Sequence, residues 1–292
     1  IPYTSIIEQN AIVFKSIFPE GSVLEHHSNY QDPDKHISQW TEHEIRHSLA
    51  TENWDMPIVV TTDVQFFESL FTNKRARSRK LHNISRSVIV FDEAQMIPAE
   101  FMAPCLMSIH ILSTMFEVSA VFCTATQPIF NKYLVPVTPK EIARDPEDLH
   151  RRLKRTEITH VGIKTDDQLA KELIDDNVAL CIVNKRKHAI SLYEKVVTML
   201  GSNEGVYHLS NRMIPLNRKG TIEEIKKRLK EKSSRCIIVS TQLIEAGVDI
   251  DLPSVYRAES GLASIVQAAG RCNREGKLIG RLGKVSVFTP SD

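Results

Sequence analysis

The stretch Ser87–Met96, Ser-Val-Ile-Val-Phe-Asp-Glu-Ala-Gln-Met, restricts the fold more than any other part of the chain. Four apolar residues, β-branched and aromatic, run without a break into two adjacent acids. That pattern predicts a buried strand of a parallel sheet. Open α/β sheets bind ligands at the carboxyl ends of their strands, where Asp92 and Glu93 would lie. One acid there suits Mg²⁺, which prefers few carboxylates plus phosphate oxygens, and the other suits orienting or deprotonating a water. The same residues also read as a strand followed by an acidic helix N-terminus, where carboxylates complement the dipole.

At 292 residues the chain predicts about two domains. A formal net charge of +1 excludes a globally basic nucleic-acid surface and leaves only a local patch. Cys105, Cys123, Cys181, Cys236 and Cys272 are scattered, odd in number and never in a C-x-x-C pair. They argue against a disulfide framework or zinc knuckle and fit a reducing, cytoplasmic setting. No apolar run approaches the roughly 18 residues of a membrane span. The opening residues, Ile-Pro-Tyr-Thr, are no signal peptide, and without an initiator Met the chain reads as a portion of a longer one.

In chain order, Ile1–Tyr3 read as the end of a strand, and Thr4 or Ser5 as the cap of a helix to about Phe18 with Ile6, Ile7, Ala11 and Phe14 on one face. The polar stretch His26–Asp55 contains His43-Glu44-Ile45-Arg46-His47. On a helix, His43 and His47 share a face and suit zinc, with Glu44 as base and Glu68 at a possible third-ligand spacing. A zincin helix should be apolar on its buried face, and this segment is polar nearly all round, so an ordinary polar helix is the favoured reading. Pro57–Thr62 predicts a strand, and Asp63–Phe71 a helix with Val64, Phe67, Leu70 and Phe71 inward. The basic loop Asn73–Lys80 reads equally as a phosphate-backbone contact or a solvated loop. Ala99–Phe116 predicts a core helix, and Val118–Cys123 a strand ending in Thr124-Ala125-Thr126-Gln127. The proline-rich stretch Pro136–Arg155 reads as a linker, dividing the chain into domains 1–150 and 151–292. After it the alternation of strands and helices restarts, predicting a second parallel sheet.

The second half carries two dense signals. Ser240 to Asp251 places hydroxyls and an amide at a strand end, then Gly247, Asp249 and Asp251. Gln267 to Gly276 places Arg271 and Arg274 three apart, on one helix face or at its exit. Two guanidiniums aimed together suit the developing charge of a transferred phosphoryl group; a basic helix end favouring the dipole is the alternative.

In this order the segments resemble the motor core of a superfamily 2 helicase, and more narrowly the CRISPR-associated helicase–nuclease of type I systems. Ile1–Gln9 is similar to motif Ia, and Glu52–Thr62 to a phrase typical of that CRISPR family. Asp92-Glu93-Ala94-Gln95 is similar to the DExD/H box, Thr124-Ala125-Thr126 to motif III, Ser240–Asp251 to motif V, and Gln267–Arg274 to motif VI. The resemblance implies an α/β fold of two tandem RecA-like parallel-sheet domains, the first truncated at its N-terminus, with an ATP site between them. It implies that Asp92 holds Mg²⁺–ATP through water and that Glu93 acts on the attacking water. Arg271 and Arg274 are arginine fingers in this reading, with Gln267 near the γ-phosphate. Gly247 and Asp249 contact nucleotide or couple it to DNA, and Gln95, Thr124 and Thr126 link hydrolysis to domain movement. Thr4, Ser5, Thr61, Thr62, Ser210 and Thr241 face single-stranded DNA, whose phosphates hydroxyls and amides grip without reading sequence. The implied partners are single-stranded DNA, the RNA-guided surveillance complex, and a nuclease domain or subunit outside this chain; no membrane is involved.

Three family features are missing from these residues. There is no G-x-x-x-x-G-K-[ST] loop, the phosphate cradle, no His-Asp dipeptide of a nuclease, and no C-terminal accessory domain. Gln127 stands where many members have Leu. The expectation is an ATP-dependent helicase in the parent protein. The alternatives are another superfamily 2 helicase acting on RNA or damaged DNA, and a non-hydrolysing fragment that binds nucleic acid or a partner.

Overall fold

The computed structural model describes residues 1–2, 4–27, 42–124, 139–210, 213–231, 234–244 and 248–291. The chain divides into two compact units, Ile1–Ile142 and Ala143–Asp292. Among the described residues no helix is long and apolar enough to cross a membrane.

The first unit runs α1 (Thr4–Ile17), β1 (Val23–His26), α2 (Glu42–Asn53), β2 (Ile58–Thr61) and α3 (Asp63–Phe71). Two single turns follow, α4 (Arg75–Ser78) and α5 (Leu81–Ile84), then β3 (Val88–Asp92), α6 (Ala99–Met115) and β4 (Ser119–Cys123). Among the described residues these strands form two separate parallel pairs, β1–β2 and β3–β4. A cavity of about 470 Å³ lies between β2 and β3, bordered by Ile58–Thr61 on one side and Val88–Asp92 on the other. At its end Ile1 donates its N–H to Thr61 O (3.3 Å) and accepts from Asp63 N (3.2 Å), the bonding of a residue laid parallel to the end of β2.

The core of this unit is aromatic. Phe91 on β3 stacks on Phe122 (5.4 Å between centroids) and on Phe67 (5.8 Å), and meets Phe66 edge-on (5.5 Å). This cluster sets the inward face of α3, which differs from the sequence expectation. Phe66 and Phe67 are buried, whereas Val64 and Phe71 are exposed. The expected strand at Val88–Phe91 forms, yet it is not buried on both faces: Phe91 is buried, while Val88 and Val90 are 68% and 55% exposed. Likewise α6 turns Cys105, Leu106, Ile109 and Leu112 inward and leaves Phe101, Met107 and Met115 exposed. An all-apolar run does not reveal which of its faces is covered.

The second unit runs α7 (Pro146–Arg152), β5 (Thr156–Lys164), α8 (Asp166–Asp176), β6 (Val178–Ile182), α9 (Arg186–Leu200) and β7 (Val206–Leu209). It continues with α10 (Pro215–Lys230), β8 (Cys236–Ser240), β9 (Ser254–Ala258), α11 (Leu262–Ala269) and β10 (Gly283–Pro290). Six parallel strands join in the order β5-β10-β9-β6-β8-β7. The runs Cys236–Ser240 and Ser254–Ala258 are buried throughout, as strands covered on both faces must be. Strand alternation divides the core. Ala179 and Cys181 face Leu169, Leu173, Leu192 and Val196 of α8 and α9, while Leu180 and Ile182 join the cluster with Ile225 of α10 and Ala268 of α11. A capping box at Thr165 and Gln168 starts α8, and Pro215 starts α10 where the missing N–H costs nothing. The carboxyl ends of these strands therefore present residues 240–244 and the segment beyond α11 on one edge of the sheet.

Candidate functional site

In the first unit the site grows from the register of β3 and β4. Asp92 pairs with Cys123, so the next residues, Glu93 and Thr124, leave the sheet side by side. Asp92 is half-buried and borders the cavity between β2 and β3. Glu93 then takes a left-handed backbone (φ 54°, ψ 44°), a conformation non-glycine residues adopt at a cost, and its carbonyl accepts from Met96 N (2.9 Å) to close the single turn Ala94–Met96. The turn brings the Gln95 side chain back over Glu93. Gln95 Nε2 donates to Glu93 Oε2, and Thr124 Oγ1 donates to Gln95 Oε1 (2.6 Å). A hydroxyl, an amide and a carboxylate thus form one directed chain across two strand ends.

Other expected residues are already engaged. Thr61 Oγ1 donates to His26 O (2.8 Å), and the buried Thr62 caps α3 by accepting from Gln65 N (3.1 Å). Thr4 and Ser5 open α1. The H-E-x-x-H segment falls on α2, with the side chains of His43, Glu44 and His47 outside the described residues, and Glu68 on α3 is paired with Arg77 (2.9 Å). Among the described residues no group of three or more His, Cys, Asp or Glu is placed to hold a metal. Thr126 and Gly247 lie outside the described residues.

In the second unit Ser210 and Thr241 are buried at the ends of β7 and β8, joined by Thr241 N–H to Leu209 O (3.2 Å). A single turn, Gln242–Ile244, follows. Val248, Ile250 and Leu252 are then buried, Asp251 is half-buried and Asp249 exposed. α11 carries a half-buried Gln267 and ends at Ala269. Arg271 and Arg274 consequently sit in the turns beyond the helix rather than on its face. Arg271 is 9% exposed, and its Nε donates to Ile244 O (3.1 Å). Arg274 is exposed, and its Nε lies 3.3 Å from Asp249 Oδ1. A bridge between Leu252 and Cys272 joins the two segments, with Leu252 N–H to Arg271 O (3.0 Å) and Asn273 N–H to Leu252 O (2.9 Å).

Three residues escaped the sequence reading. Arg257 is fully buried in β9, where its Nη1 donates to Asn184 Oδ1 and to Ala258 O, each at 2.7 Å. Asn184 in turn donates to Glu259 O (2.8 Å), tying the ends of β6 and β9. A charge inside an apolar strand was the available signal for Arg257. Arg155 Nη1 donates to Arg274 O across 119 residues, and no local pattern announces that contact.

Residues 175–277 match the family model described as CRISPR-associated nuclease/helicase Cas3, C-terminal. Over its whole length the chain is 24% identical to the CRISPR-associated nuclease/helicase Cas3 of Haloferax volcanii, of which it covers 42%. Its fold is similar to that of T. fusca Cas3 solved with ADP, with a TM-score of 0.74 at 18% identity, covering 100% of this chain and 40% of that one. A chain in a CRISPR RNA-guided surveillance complex, pre-nicking, is similar with a TM-score of 0.63 at 19% identity, covering 82% of this chain and 36% of that one. The chain therefore spans less than half the length of these relatives. The chain is thus similar in sequence to Cas3 nuclease/helicases, and its α/β fold is the RecA-like fold of the solved Cas3 helicase domains.

Proposed function

We propose that this chain is the core of an ATP-dependent motor that moves on single-stranded DNA in CRISPR defence. The observation that carries the reading is the directed chain Thr124–Gln95–Glu93 at the end of a parallel strand, beside Asp92. A carboxylate aimed by an amide, which is itself aimed by a hydroxyl, is what orienting a water requires. Residues 1–150 serve as the first RecA-like domain, without its phosphate loop, and 151–292 as the second. The likeness to T. fusca Cas3, solved with ADP, AMPPNP and ATP, supports a nucleotide as the ligand.

The donor set fits magnesium–ATP, since Mg²⁺ takes one or two carboxylates alongside phosphate oxygens, and Asp92 offers one at a strand end. Bound there, the group supplies the phosphoryl to be transferred. Asp92 would hold it through water, and Glu93 would orient the attacking water. Gln95 and Thr124 fix the Glu93 rotamer, with Thr126 passing the change onward. Arg271, Arg274 and Gln267 stabilise the charge that develops on the transferred group. Gly247 and Asp249 link that event to the strand, which Thr4, Ser5, Thr61, Thr62, Ser210 and Thr241 border. The surveillance complex that delivers the DNA, and the nuclease that cuts it, lie outside this chain. The likeness to a chain of a surveillance complex supports that partnership.

The test is strand displacement by the full-length protein on a duplex with a 3′ single-stranded tail. Displacement should require ATP, prefer a DNA tail to an RNA tail, and fail on a 5′ tail. Tight binding of the tail with no displacement on adding ATP would mark a nucleic-acid-binding module instead.

A further inference from the structure

Arg274 is exposed, yet it is held at three points, by Asp249 and Asp251 from one distant part of the second unit and Arg155 from another. Its backbone N–H donates to Asp251 Oδ1 (2.6 Å), and the neighbouring Glu275 N–H reaches Asp251 Oδ2 (3.4 Å). Its carbonyl accepts from Arg155 Nη1. Its side-chain Nε pairs with Asp249 Oδ1 (3.3 Å). The surrounding backbone is fixed as well. Asn273 takes a left-handed φ of 46°, with Nδ2 donating to Arg155 O (3.1 Å) and Oδ1 accepting from Leu278 N (3.1 Å). Behind it, the Leu252–Cys272 bridge and the Arg271–Ile244 bond tie Ile244 and Leu252 to segment 271–275.

An exposed ion pair such as Asp249–Arg274 contributes little stability, about 0–1 kcal/mol. Stability therefore does not account for Asp249 meeting an exposed side chain whose backbone Asp251 and Arg155 already hold. Long side chains lose much rotamer freedom when they act, and a group whose backbone and Nε are already fixed has less to lose. Among the described residues nothing engages the Nη atoms of Arg274, which are left to meet an anion.

We propose that Asp249, Asp251 and Arg155 are positioning residues for Arg274, making residues 248–252 and 271–275 one body that moves together. The proposal rests on the reading that Arg274 serves the transferred phosphoryl group. It gives Asp249 the task of aiming that arginine, in place of a direct link to the strand.

Two measurements on the full-length protein test it. In the first, hydrogen–deuterium exchange is followed in a peptide covering 271–278. Asp251→Asn should speed exchange there, with the far-ultraviolet melting curve unchanged; exchange equal to wild type would overturn the proposal. In the second, DNA-stimulated ATP hydrolysis is measured in a double-mutant cycle. Asp249→Asn and Asp251→Asn should each lower kcat roughly tenfold, with KM for ATP within about twofold, and add nothing on an Arg274→Ala background. Equal added losses in both backgrounds would indicate a merely structural role and overturn the proposal. If Arg274→Ala hydrolyses ATP like wild type while exchange still responds to Asp251→Asn, the catalytic reading of Arg274 has failed, and the positioning role falls with it.

Discussion

Among the described residues of the first unit, Glu93 is one of four non-glycine residues with a left-handed backbone, and the only one of them beside Asp92. A glutamate held at φ 54° costs on the order of 1–3 kcal/mol, and such a conformation persists only where its surroundings over-determine it. Here the Ala94–Met96 turn and the Gln95 amide do so from one side, and Thr124 does so from the next strand. Removing the outermost member should loosen the carboxylate without altering the nucleotide's contacts. Thr124→Val keeps the shape and deletes the hydroxyl. It should lower DNA-stimulated kcat about tenfold, the ~1.4 kcal/mol of one good hydrogen bond, and leave KM for ATP unchanged. Steady-state kinetics checks this; a rise in KM with kcat intact would show that Thr124 acts on binding instead.

At the scale of elements, legibility followed burial. β8 was plain in the sequence because its run is covered on both faces and carries no charge, and β9 was placed although it contains the buried Arg257. β3 was placed correctly but its burial was not, because four consecutive apolar residues carry no period to say that Val88 and Val90 face outward. The Asp92–Glu93 pair and the Thr124 hydroxyl were visible as separate signals; that they meet follows from the parallel register Asp92–Cys123, which no single stretch encodes. The junction of β1, α2 and the turn before α5 was equally hidden. Trp54 Nε1 donates to His26 Nδ1 (3.0 Å), and Lys80 Nζ sits over the Trp54 ring (4.5 Å). Burial first, then the charges of Lys80 and His27, pulls the His26 imidazole down to about 4. The unfolded chain binds this proton near pH 6.5, so stability is full above that value and is lost as pH falls toward 4. The melting temperature should accordingly drop by several degrees from pH 7 to pH 5. His26→Gln, which still accepts from Trp54, should flatten that dependence. An unchanged slope in thermal melts would show that His26 is not the group responsible.

At the scale of the whole molecule, each unit has its own core and contributes its own share of the chemistry. The first supplies an acid pair on strained backbone. The second supplies two arginines on a braced turn, with Arg271 buried and Arg274 exposed. The central claim of the proposed function is that Glu93 drives a DNA-dependent hydrolysis. The direct measurement is ATP turnover by the full-length protein with and without single-stranded DNA, for wild type and Glu93→Gln. The account predicts turnover stimulated at least tenfold by DNA, and a loss of about a hundredfold or more in Glu93→Gln with ATP still bound, the scale of a general-base deletion. Turnover in Glu93→Gln equal to wild type, or no turnover in either protein, would contradict it.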